Sequence, residues 1–278
     1  MSRRDAPMDL EHPEVAELID ELPFWSSTFV AGLLDRVPMT PGLTWLDVGA
    51  GTGFLTVELA QRCGDGTRVI AVDPWEAAAA RLRRRVAWLG LENVEIVSRA
   101  VEHAGLLDGS VDVAVANLAL TNFADPTAAL RGVARALKPG GRFYTSTNPV
   151  GHMAELYAAF RETLIEVGLP ETVAALDAHE AHRGTAASWS KQLADCGLVV
   201  HEQSSDAWRM RFADGGAFLR HGFIRLGFLS AWQQIVAEAA WPQVLAALRR
   251  RLNALAAARG ELALTIPVLW LVAHRAEA

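Results

Sequence analysis

Two spacings of apolar residues alternate along the first half of the chain. Short runs rich in valine, isoleucine and leucine are separated by longer segments in which apolar residues recur every three or four positions. The short runs are typical of strands buried on both faces, and the longer spacing is typical of amphipathic helices. We predict strands at 44–48, 68–73, 94–98, 111–117 and 142–147, and helices at 54–63, 75–89 and 126–137. This alternation predicts an α/β fold, a doubly wound parallel sheet with right-handed crossovers.

The segment before the first predicted strand, residues 13–37, also has its apolar residues at helical spacing. Pro23 interrupts the pattern, so one or two helices are expected there. Such a segment could cap a binding site or simply cover the edge of the sheet, and the pattern favours neither. We assign residues 1–40 to an N-terminal helical cap.

The pattern changes after Asn148. Helices are predicted at 151–168 and 188–196, followed by a strand at 198–203. A last apolar run, residues 262–274, predicts a strand that closes the sheet.

Residues 208–260 lie between the last two predicted strands and carry seven aromatic residues in mainly helical segments. These residues are Trp208, Phe212, Phe218, Phe223, Phe228, Trp232 and Trp241. They could form only the core of a small helical subdomain, or they could form a lid that selects a substrate. We predict a helical lid or substrate insertion at 208–260 and a core domain of residues 41–207 and 261–278.

The composition is that of a folded protein, with 51% hydrophobic and 21% charged residues. The net charge of −6 argues against a nucleic-acid partner, which usually requires a basic face. Arginine triplets at 83–85 and 249–251 lie in helical patterns, where a solvated helix face is the more common explanation. No nucleic-acid partner is therefore expected.

Cys63 and Cys196 are too few for a disulfide framework or a metal cluster. His179 and His182 have the spacing of a metal pair, but no third ligand is evident, so we predict no metal site and favour a solvated helix face for both. Residues 1–15 lack the apolar core of a signal peptide, and no apolar run is long enough for a membrane helix. We expect a cytoplasmic protein without a membrane partner, either a monomer or a homodimer.

The strand predicted at 44–48 leads into three glycines at alternate positions, Gly49, Gly51 and Gly53. Glycine allows turns that other residues avoid and lets a ligand approach the backbone. A loop of this kind between a strand and a helix offers N–H groups to a nucleotide-like ligand. A dinucleotide-binding loop needs the spacing G-x-G-x-x-G, but Phe54 occupies the position of its last glycine. The spacing therefore disfavours a dehydrogenase.

Residues 47–53, Asp-Val-Gly-Ala-Gly-Thr-Gly, resemble the first motif of the class I S-adenosylmethionine (SAM) methyltransferases. Three further matches follow in order: Asp73 at the end of a strand, residues 108–117, and residues 137–143 before the fifth strand. The resemblance covers about residues 40–148. It implies a Rossmann-like seven-stranded sheet with the last strand antiparallel, and SAM, or S-adenosylhomocysteine as bound product, as the cofactor.

The resemblance also implies roles for individual residues. Gly49, Gly51 and Gly53 would let the chain pass under the methionine and ribose parts of SAM. Asp47 would organise the loop and the ammonium end of the cofactor. Asp73 would accept hydrogen bonds from both ribose hydroxyls, as one carboxylate can.

Adenine recognition departs from the family pattern. Pro74 and Trp75 could pack on the adenine, although a structural role for Trp75 is equally compatible with the sequence. Ala100 stands where the family often has an acid that contacts the adenine amino group. The backbone N–H of Val101 could still reach the ring, and Glu102 could substitute for the acid.

Asn117 and Leu118 end the fourth strand, beside the methionine part of SAM in the family. Nearby, residues 120–123 contain no histidine, although many small-molecule members have histidines there. His152 follows the fifth strand and is our candidate general base, the alternative being an exposed histidine at a helix start.

These features predict a SAM-dependent methyltransferase that acts on a small, partly apolar molecule. Oxygen is the preferred acceptor atom, and nitrogen or carbon is possible. The alternative is a SAM-binding protein of the same fold that transfers no methyl group and serves in rearrangement, cyclisation or regulation. The cofactor motif alone does not separate the two.

Overall fold

The computed structural model describes residue 9, residues 11–22 and residues 24–276. The predicted interruption at Pro23 lies outside the described residues, as do residues 1–8, the larger part of the segment searched for a signal peptide.

Within the described residues, seven strands form one mixed sheet. The strands are β1 (Thr44–Val48), β2 (Arg68–Val72), β3 (Val94–Val97), β4 (Val111–Asn117), β5 (Leu137–Thr147), β6 (Leu198–Phe212) and β7 (Leu262–Arg275). They lie in the order β3-β2-β1-β4-β5-β7-β6. Strands β1 to β5 pair in parallel, and β7 runs antiparallel to β5. The predicted α/β sheet with an antiparallel last strand is confirmed.

The strand order reverses at β1, whose neighbours are β2 and β4. In open α/β sheets, ligands bind beyond the carboxyl ends of the strands at such a reversal. A ligand-binding site is therefore expected at the loops after β1, β2 and β4.

Twelve α-helices are present in the described part of the chain. They are α1 (Pro13–Glu21), α2 (Phe24–Leu34), α3 (Phe54–Arg62), α4 (Glu76–Leu89), α5 (Pro126–Ala136), α6 (Ala154–Glu166), α7 (Val173–Ala181), α8 (Ala186–Asp195), α9 (Gly215–Arg220), α10 (Gly222–Gly227), α11 (Leu229–Ile235) and α12 (Trp241–Arg259). Of the helices in this part of the chain, none combines the length and apolar character that crossing a membrane requires.

Helix α5 shows how the local sequence sets an element. The Asp125 side chain accepts a hydrogen bond of 2.9 Å from the Ala128 N–H and so caps the first turn. Pro126 occupies the start of the helix, where its missing N–H costs nothing. Leu130 and Val133 are fully buried and belong to the same apolar cluster as residues of β1, β4 and β5.

Internal contacts divide the chain into two compact units. One, here called the sheet unit, comprises Leu10–Thr147, Thr185–Ser205 and Val268–Ala278. The other, here called the helical unit, comprises Met1–Asp9, Asn148–Gly184 and Asp206–Pro267. The predicted insertion at 208–260 lies in the helical unit, together with residues 148–184.

Strand β6 is longer than predicted and continues to Phe212. Trp208 and Phe212 therefore lie on a strand, and their assignment to helical segments is wrong. The reason is visible in the sequence, because Trp208, Met210 and Phe212 alternate with two exposed arginines. Alternation with a period of two is the spacing of a strand with one covered face.

Candidate cofactor-binding site

The loop between β1 and α3 contains the three predicted glycines, and all three have left-handed backbone angles. Their φ values are 72° at Gly49, 54° at Gly51 and 87° at Gly53. Residues with a Cβ are strained in this region by about 1–2 kcal/mol each. The loop therefore needs glycine at each position to keep this course.

The three glycines differ in what surrounds them. A Cβ on Gly49 would lie 2.6 Å from the Ala119 Cβ, and one on Gly53 would lie 2.0 Å from a Leu82 methyl carbon. A Cβ on Gly51 would meet nothing within 4 Å. The outer glycines thus let the loop pack closely against its neighbours, whereas the middle glycine borders open space through which a ligand can approach the backbone.

Asp73 follows β2 and ties this loop to the next connection. Its carboxylate accepts hydrogen bonds from the Gly51 N–H at 2.7 Å and from the Trp75 N–H at 2.8 Å. Burial raises the pKa of Asp73, against the lowering effect of these two bonds. Each oxygen keeps a further lone pair, so Asp73 can position the loop and still accept hydrogen bonds from a bound diol.

Asp47 lies on β1 beneath the loop and is almost completely buried. The Thr56 hydroxyl donates a 2.6 Å hydrogen bond to its carboxylate. Burial raises its pKa to about 7, the Thr56 bond opposes that rise, and the negative charge of Asp73 adds to it. Two carboxylates that lie close together and are largely shielded from water favour a positively charged ligand.

Leu118, directly after β4, has a φ of 58°, which is uncommon for a residue with a side chain. The surrounding structure holds it there: its N–H donates to the Ser146 carbonyl at 3.0 Å, and its carbonyl accepts from the Asn122 side-chain amide at 3.0 Å. The Ser146 hydroxyl also donates to the Asn117 side chain at 2.7 Å. Strain of this kind costs about 1–3 kcal/mol and is concentrated at functional sites.

The residues expected near adenine follow two neighbouring strand ends. Val72 of β2 and Val97 of β3 are paired in register. Exposed Pro74 and half-buried Trp75 follow the first strand. Residues 100–101 follow the second, where Ala100 begins a short 3₁₀ turn and the Val101 side chain is buried. A role for these four residues in adenine binding stays a prediction.

Residues 46–145 match the family model described as "Methyltransferase domain". Residues 46–145 of the chain therefore carry a methyltransferase domain. The predicted strands β1 to β5, the glycine loop, Asp47 and Asp73 all belong to the sheet unit that contains this domain.

Two known proteins resemble part of this chain. An arsenite methyltransferase of Halobacterium salinarum is 35% identical over 104 residues, which are 37% of this chain and 27% of that protein. A ubiquinone/menaquinone biosynthesis C-methyltransferase of Enterobacter is 35% identical over 102 residues, which are 36% of this chain and 41% of that protein. The matched segments thus span less than half of each relative.

A solved structure extends the likeness in fold to most of the chain. The YcgJ protein of Bacillus subtilis has a TM-score of 0.62 and 15% identity, covering 90% of this chain and 99% of that one. At this identity the likeness concerns the fold alone.

His152 belongs to the helical unit and not to the sheet unit. It is fully buried, so its interpretation as an exposed histidine at a helix start is wrong. Its ring stacks on Phe228, with centroids 5.5 Å apart and an angle of 24°. Burial holds the pKa of His152 well below its usual value, and the charges of Arg183 and His179 lower it further. The imidazole is therefore neutral at physiological pH.

Aromatic side chains form a buried cluster around His152 in the helical unit. Phe228 stacks in turn on Trp232, with centroids 5.7 Å apart, and the Trp232 indole N–H donates to the Tyr157 hydroxyl at 3.3 Å. The His179 ring lies 6.1 Å from Tyr157 and is half-buried, and burial lowers its pKa to about 4. The expected solvated helix face therefore describes His182 but not His179.

Sequence reasoning missed Thr56 and Ser146, which hold two of the expected cofactor residues. Thr56 lies in the first turn of α3, nine residues after Asp47, and a hydroxyl at that position was the one available signal. Ser146 contacts Asn117 only because β4 and β5 pair with these residues in register. No local pattern in the sequence predicts that contact.

Substitutions of two glycines should separate packing from ligand access in the methyltransferase domain. Gly51→Ala should cost about 1–2 kcal/mol of stability, because only the backbone angle is strained, and it should weaken SAM binding, because its methyl group enters the open space. Gly53→Ala should cost roughly 1–3 kcal/mol more, since Leu82 must also move. Urea unfolding and calorimetric titration with S-adenosylhomocysteine measure both effects. Wild-type affinity in Gly51→Ala would mean that the ligand does not use this space.

Proposed function

We propose that the chain transfers a methyl group from SAM to a small, partly apolar molecule. The observation that carries the proposal is the open space over Gly51, with the loop held from below by the Asp73 carboxylate. This arrangement lies within a methyltransferase domain and fits the cofactor of that family, because a backbone without a Cβ is joined by a 2.7 Å hydrogen bond to a carboxylate with spare lone pairs.

The chain's own residues would hold SAM in the following way. Asp73 accepts hydrogen bonds from the ribose hydroxyls, and Asp47 supports the loop and the positive ammonium end. Asn117 and Leu118 line the methionine part. Bound SAM would supply an electrophilic methyl group on a sulfonium centre, so the protein's main task is to position the acceptor in line with it.

Trp75, Pro74 and the Val101 N–H are the proposed adenine contacts. Ala100 offers no carboxylate to the adenine amino group, so that group would bond to backbone or water. Affinity would then depend more on the ribose and methionine contacts than on the base.

The helical unit has an interior rich in aromatic side chains. Its buried cluster of Tyr157, Phe228 and Trp232 supports a partly apolar substrate. Oxygen remains the preferred acceptor atom. Carbon and nitrogen are the other proposed acceptor atoms. One of the relatives is a C-methyltransferase, which supports carbon.

His152 is the proposed general base. It is present in the neutral form that accepts a proton, and it can act only if substrate binding opens its surroundings, because no part of it is exposed. Positioning alone accelerates methyl transfer strongly, so the base would serve acceptors whose proton must leave.

Calorimetric titration with SAM and with S-adenosylhomocysteine tests the cofactor part of the proposal. Saturable one-to-one binding of both is the expected result. Neither high salt nor excess NADH should abolish this binding. Absence of binding at millimolar ligand would overturn the proposal. Tight binding of NADH instead would point to a dehydrogenase.

The second candidate, a SAM-binding protein without methyl transfer, is favoured by two observations. Residues 120–123 contain no histidine, and the candidate base His152 is fully buried. Incubating the protein with candidate acceptors and SAM labelled in the methyl group decides between the two. Labelled product together with S-adenosylhomocysteine supports transfer, whereas substrate turnover with SAM unchanged supports the second candidate.

A further inference from the structure

Three helices of the helical unit, α9, α11 and α12, border a cavity of about 230 Å³. Its walls are largely apolar and are formed by Leu219, Leu229, Pro242, Leu245 and Ala246. Leu219 and Leu229 are buried, whereas Pro242 and Ala246 are exposed, so the cavity has a closed base and an open rim. This volume lies a little below the usual range for ligand pockets, about 300–1,000 Å³, and suits a small ligand.

Two guanidinium groups meet at one side of this cavity, where Gly216 leaves room for them. A Cβ on Gly216 would lie 2.9 Å from the Arg220 Nη1 and 3.1 Å from the Arg249 Nε. Both arginines line the cavity. A side chain at position 216 would displace them, so the glycine is what allows the two charges to converge.

Among the described residues, no ion pair neutralises these two charges. Across the described part of the chain, neither Arg220 nor Arg249 has a carboxylate within 4.0 Å of its guanidinium nitrogens. Asp214 lies nearby, with an oxygen 3.1 Å from the same point, but that oxygen accepts the Ala217 N–H at 2.7 Å as a helix cap. One carboxylate against two guanidinium groups leaves an excess of positive charge at the cavity.

The neighbouring arginines on α12 behave differently. Arg250 pairs with Glu166 at 3.7 Å, and Arg251 pairs with Glu166 at 2.5 Å and with Glu162. The arginine triplet at 249–251 is therefore not one uniform solvated face. Two of its members join α12 to α6, and Arg249 alone faces the cavity.

We propose that this cavity binds a small amphipathic anion, a short apolar chain that ends in a carboxylate or a phosphate. The apolar walls would take the chain, and the two guanidinium groups would take the anionic oxygens, for which their planar N–H groups are well suited. The site lies wholly within the helical unit and requires no methyl transfer. It therefore goes beyond the proposed function and can be tested independently of it.

Calorimetric titration of the full chain with three six-carbon probes tests the proposal in low salt. Hexyl phosphate and hexanoate carry the two candidate head groups, and hexanol has the same chain without charge. Saturable binding of at least one anion, much tighter than that of hexanol and weakened by salt, is the expected result. The tighter of the two anions identifies the head group. Equal binding of hexanol, or no binding of either anion at millimolar concentration, would overturn the proposal.

Arg249→Gln and Arg220→Gln should each weaken binding of the preferred anion roughly tenfold or more, since each removes a charge-assisted hydrogen bond. Arg250→Gln is the matched control, because Arg250 is the adjacent residue on α12 and does not line the cavity; it should change affinity less than about threefold. Ala246→Trp should block the cavity from its rim. Equal losses in Arg249→Gln and Arg250→Gln would show a general charge effect and overturn the site.

Light scattering covers the other possible occupant of this surface. A mass that rises with protein concentration in the wild type, and that Ala246→Trp abolishes, would assign the cavity to a second copy of the chain and overturn the small-anion proposal. Circular dichroism of every variant shows that a loss of binding is not a loss of folding.

Discussion

Asp73→Ala is expected to weaken SAM binding roughly 100-fold or more, a larger loss than either glycine substitution should cause. The Asp73 carboxylate accepts the N–H groups of Gly51 and Trp75 at 2.7 and 2.8 Å. A hydrogen bond to a charged acceptor contributes about 1.5–3 kcal/mol. The substitution removes both of these bonds, and it also removes the proposed bonds to the two ribose hydroxyls.

The same substitution should alter the loop before any ligand binds. Without Asp73, the Gly51 N–H has no acceptor in the free protein, and the loop loses its link to the start of α4. Amide hydrogen exchange at Gly51 and Trp75 should therefore become faster in Asp73→Ala, while exchange in β1 and β2 should stay slow.

Two further variants show whether the effect belongs to Asp73. Asp73→Asn keeps the size but presents an amide to N–H donors, so it should lose nearly as much affinity as alanine. Glu76→Gln removes a negative charge three residues later from an exposed side chain, and SAM affinity should change less than about threefold. If Asp73→Ala binds S-adenosylhomocysteine as well as the wild type does, Asp73 is only a structural anchor of the loop.

The sequence was sufficient for strands β1 to β5 and for the glycine loop, and the physical reasons differ. Strands β1 to β5 could be located because parallel strands covered on both faces are continuous apolar runs. The loop could be located because three left-handed positions at alternate residues require glycine, and glycine is visible in the sequence. The role of Asp73 was predicted from its place at a strand end, which the resemblance supplied.

Other features depend on contacts between distant residues and left no local pattern. The strain at Leu118 is imposed by Ser146 of β5 and by Asn122, so a single residue in the sequence does not reveal it. The burial of His152 depends on Phe228, which lies 76 residues later, between α10 and α11. Likewise, the separate role of Arg249 within its triplet appears only when its neighbours are seen to pair with Glu166.

Asp47→Asn should make the ligand-free protein more stable at pH 8, although it alters a residue proposed to support cofactor binding. Asp47 is 1% exposed. Burial raises its pKa from 3.8 to about 7, the Thr56 hydrogen bond opposes the rise, and the charge of Asp73 adds to it. At pH 8 the folded protein must keep this buried carboxylate ionised. Asparagine has nearly the same size, carries no charge and can still accept the Thr56 hydroxyl.

The pH dependence follows from the two pKa values of Asp47. Between pH 3.8 and about 7 the folded protein keeps the proton, whereas the unfolded chain has released it. The folded state then binds more protons, so the contribution of Asp47 to stability falls as pH rises through this range and is constant above it. One pKa unit equals about 1.36 kcal/mol. The rise in the pKa of Asp47 from 3.8 to about 7 therefore corresponds to a loss of at most about 4 kcal/mol in the free energy of unfolding.

Urea unfolding of wild type and Asp47→Asn at intervals from pH 4 to pH 8.5 measures this difference directly. The advantage of the variant should grow up to about pH 7 and then level off. Asp112→Asn is a control of opposite sign: burial of Asp112 is outweighed by hydrogen bonds from Lys138 and the Thr44 N–H, which lower its pKa, so its removal should destabilise the protein at pH 8.

SAM binding gives the functional counterpart of that stability gain. A cationic ligand favours the ionised form of Asp47, so wild-type affinity should rise as pH increases through about 7, and the rise should be reduced in Asp47→Asn together with the affinity itself. A variant that is less stable than the wild type at pH 8 would show that the ionised carboxylate is well accommodated without ligand. A variant that is more stable but binds SAM as tightly as the wild type would show that Asp47 has no role in cofactor binding. Gain of stability with loss of affinity is the outcome expected if this buried charge is kept for the cofactor.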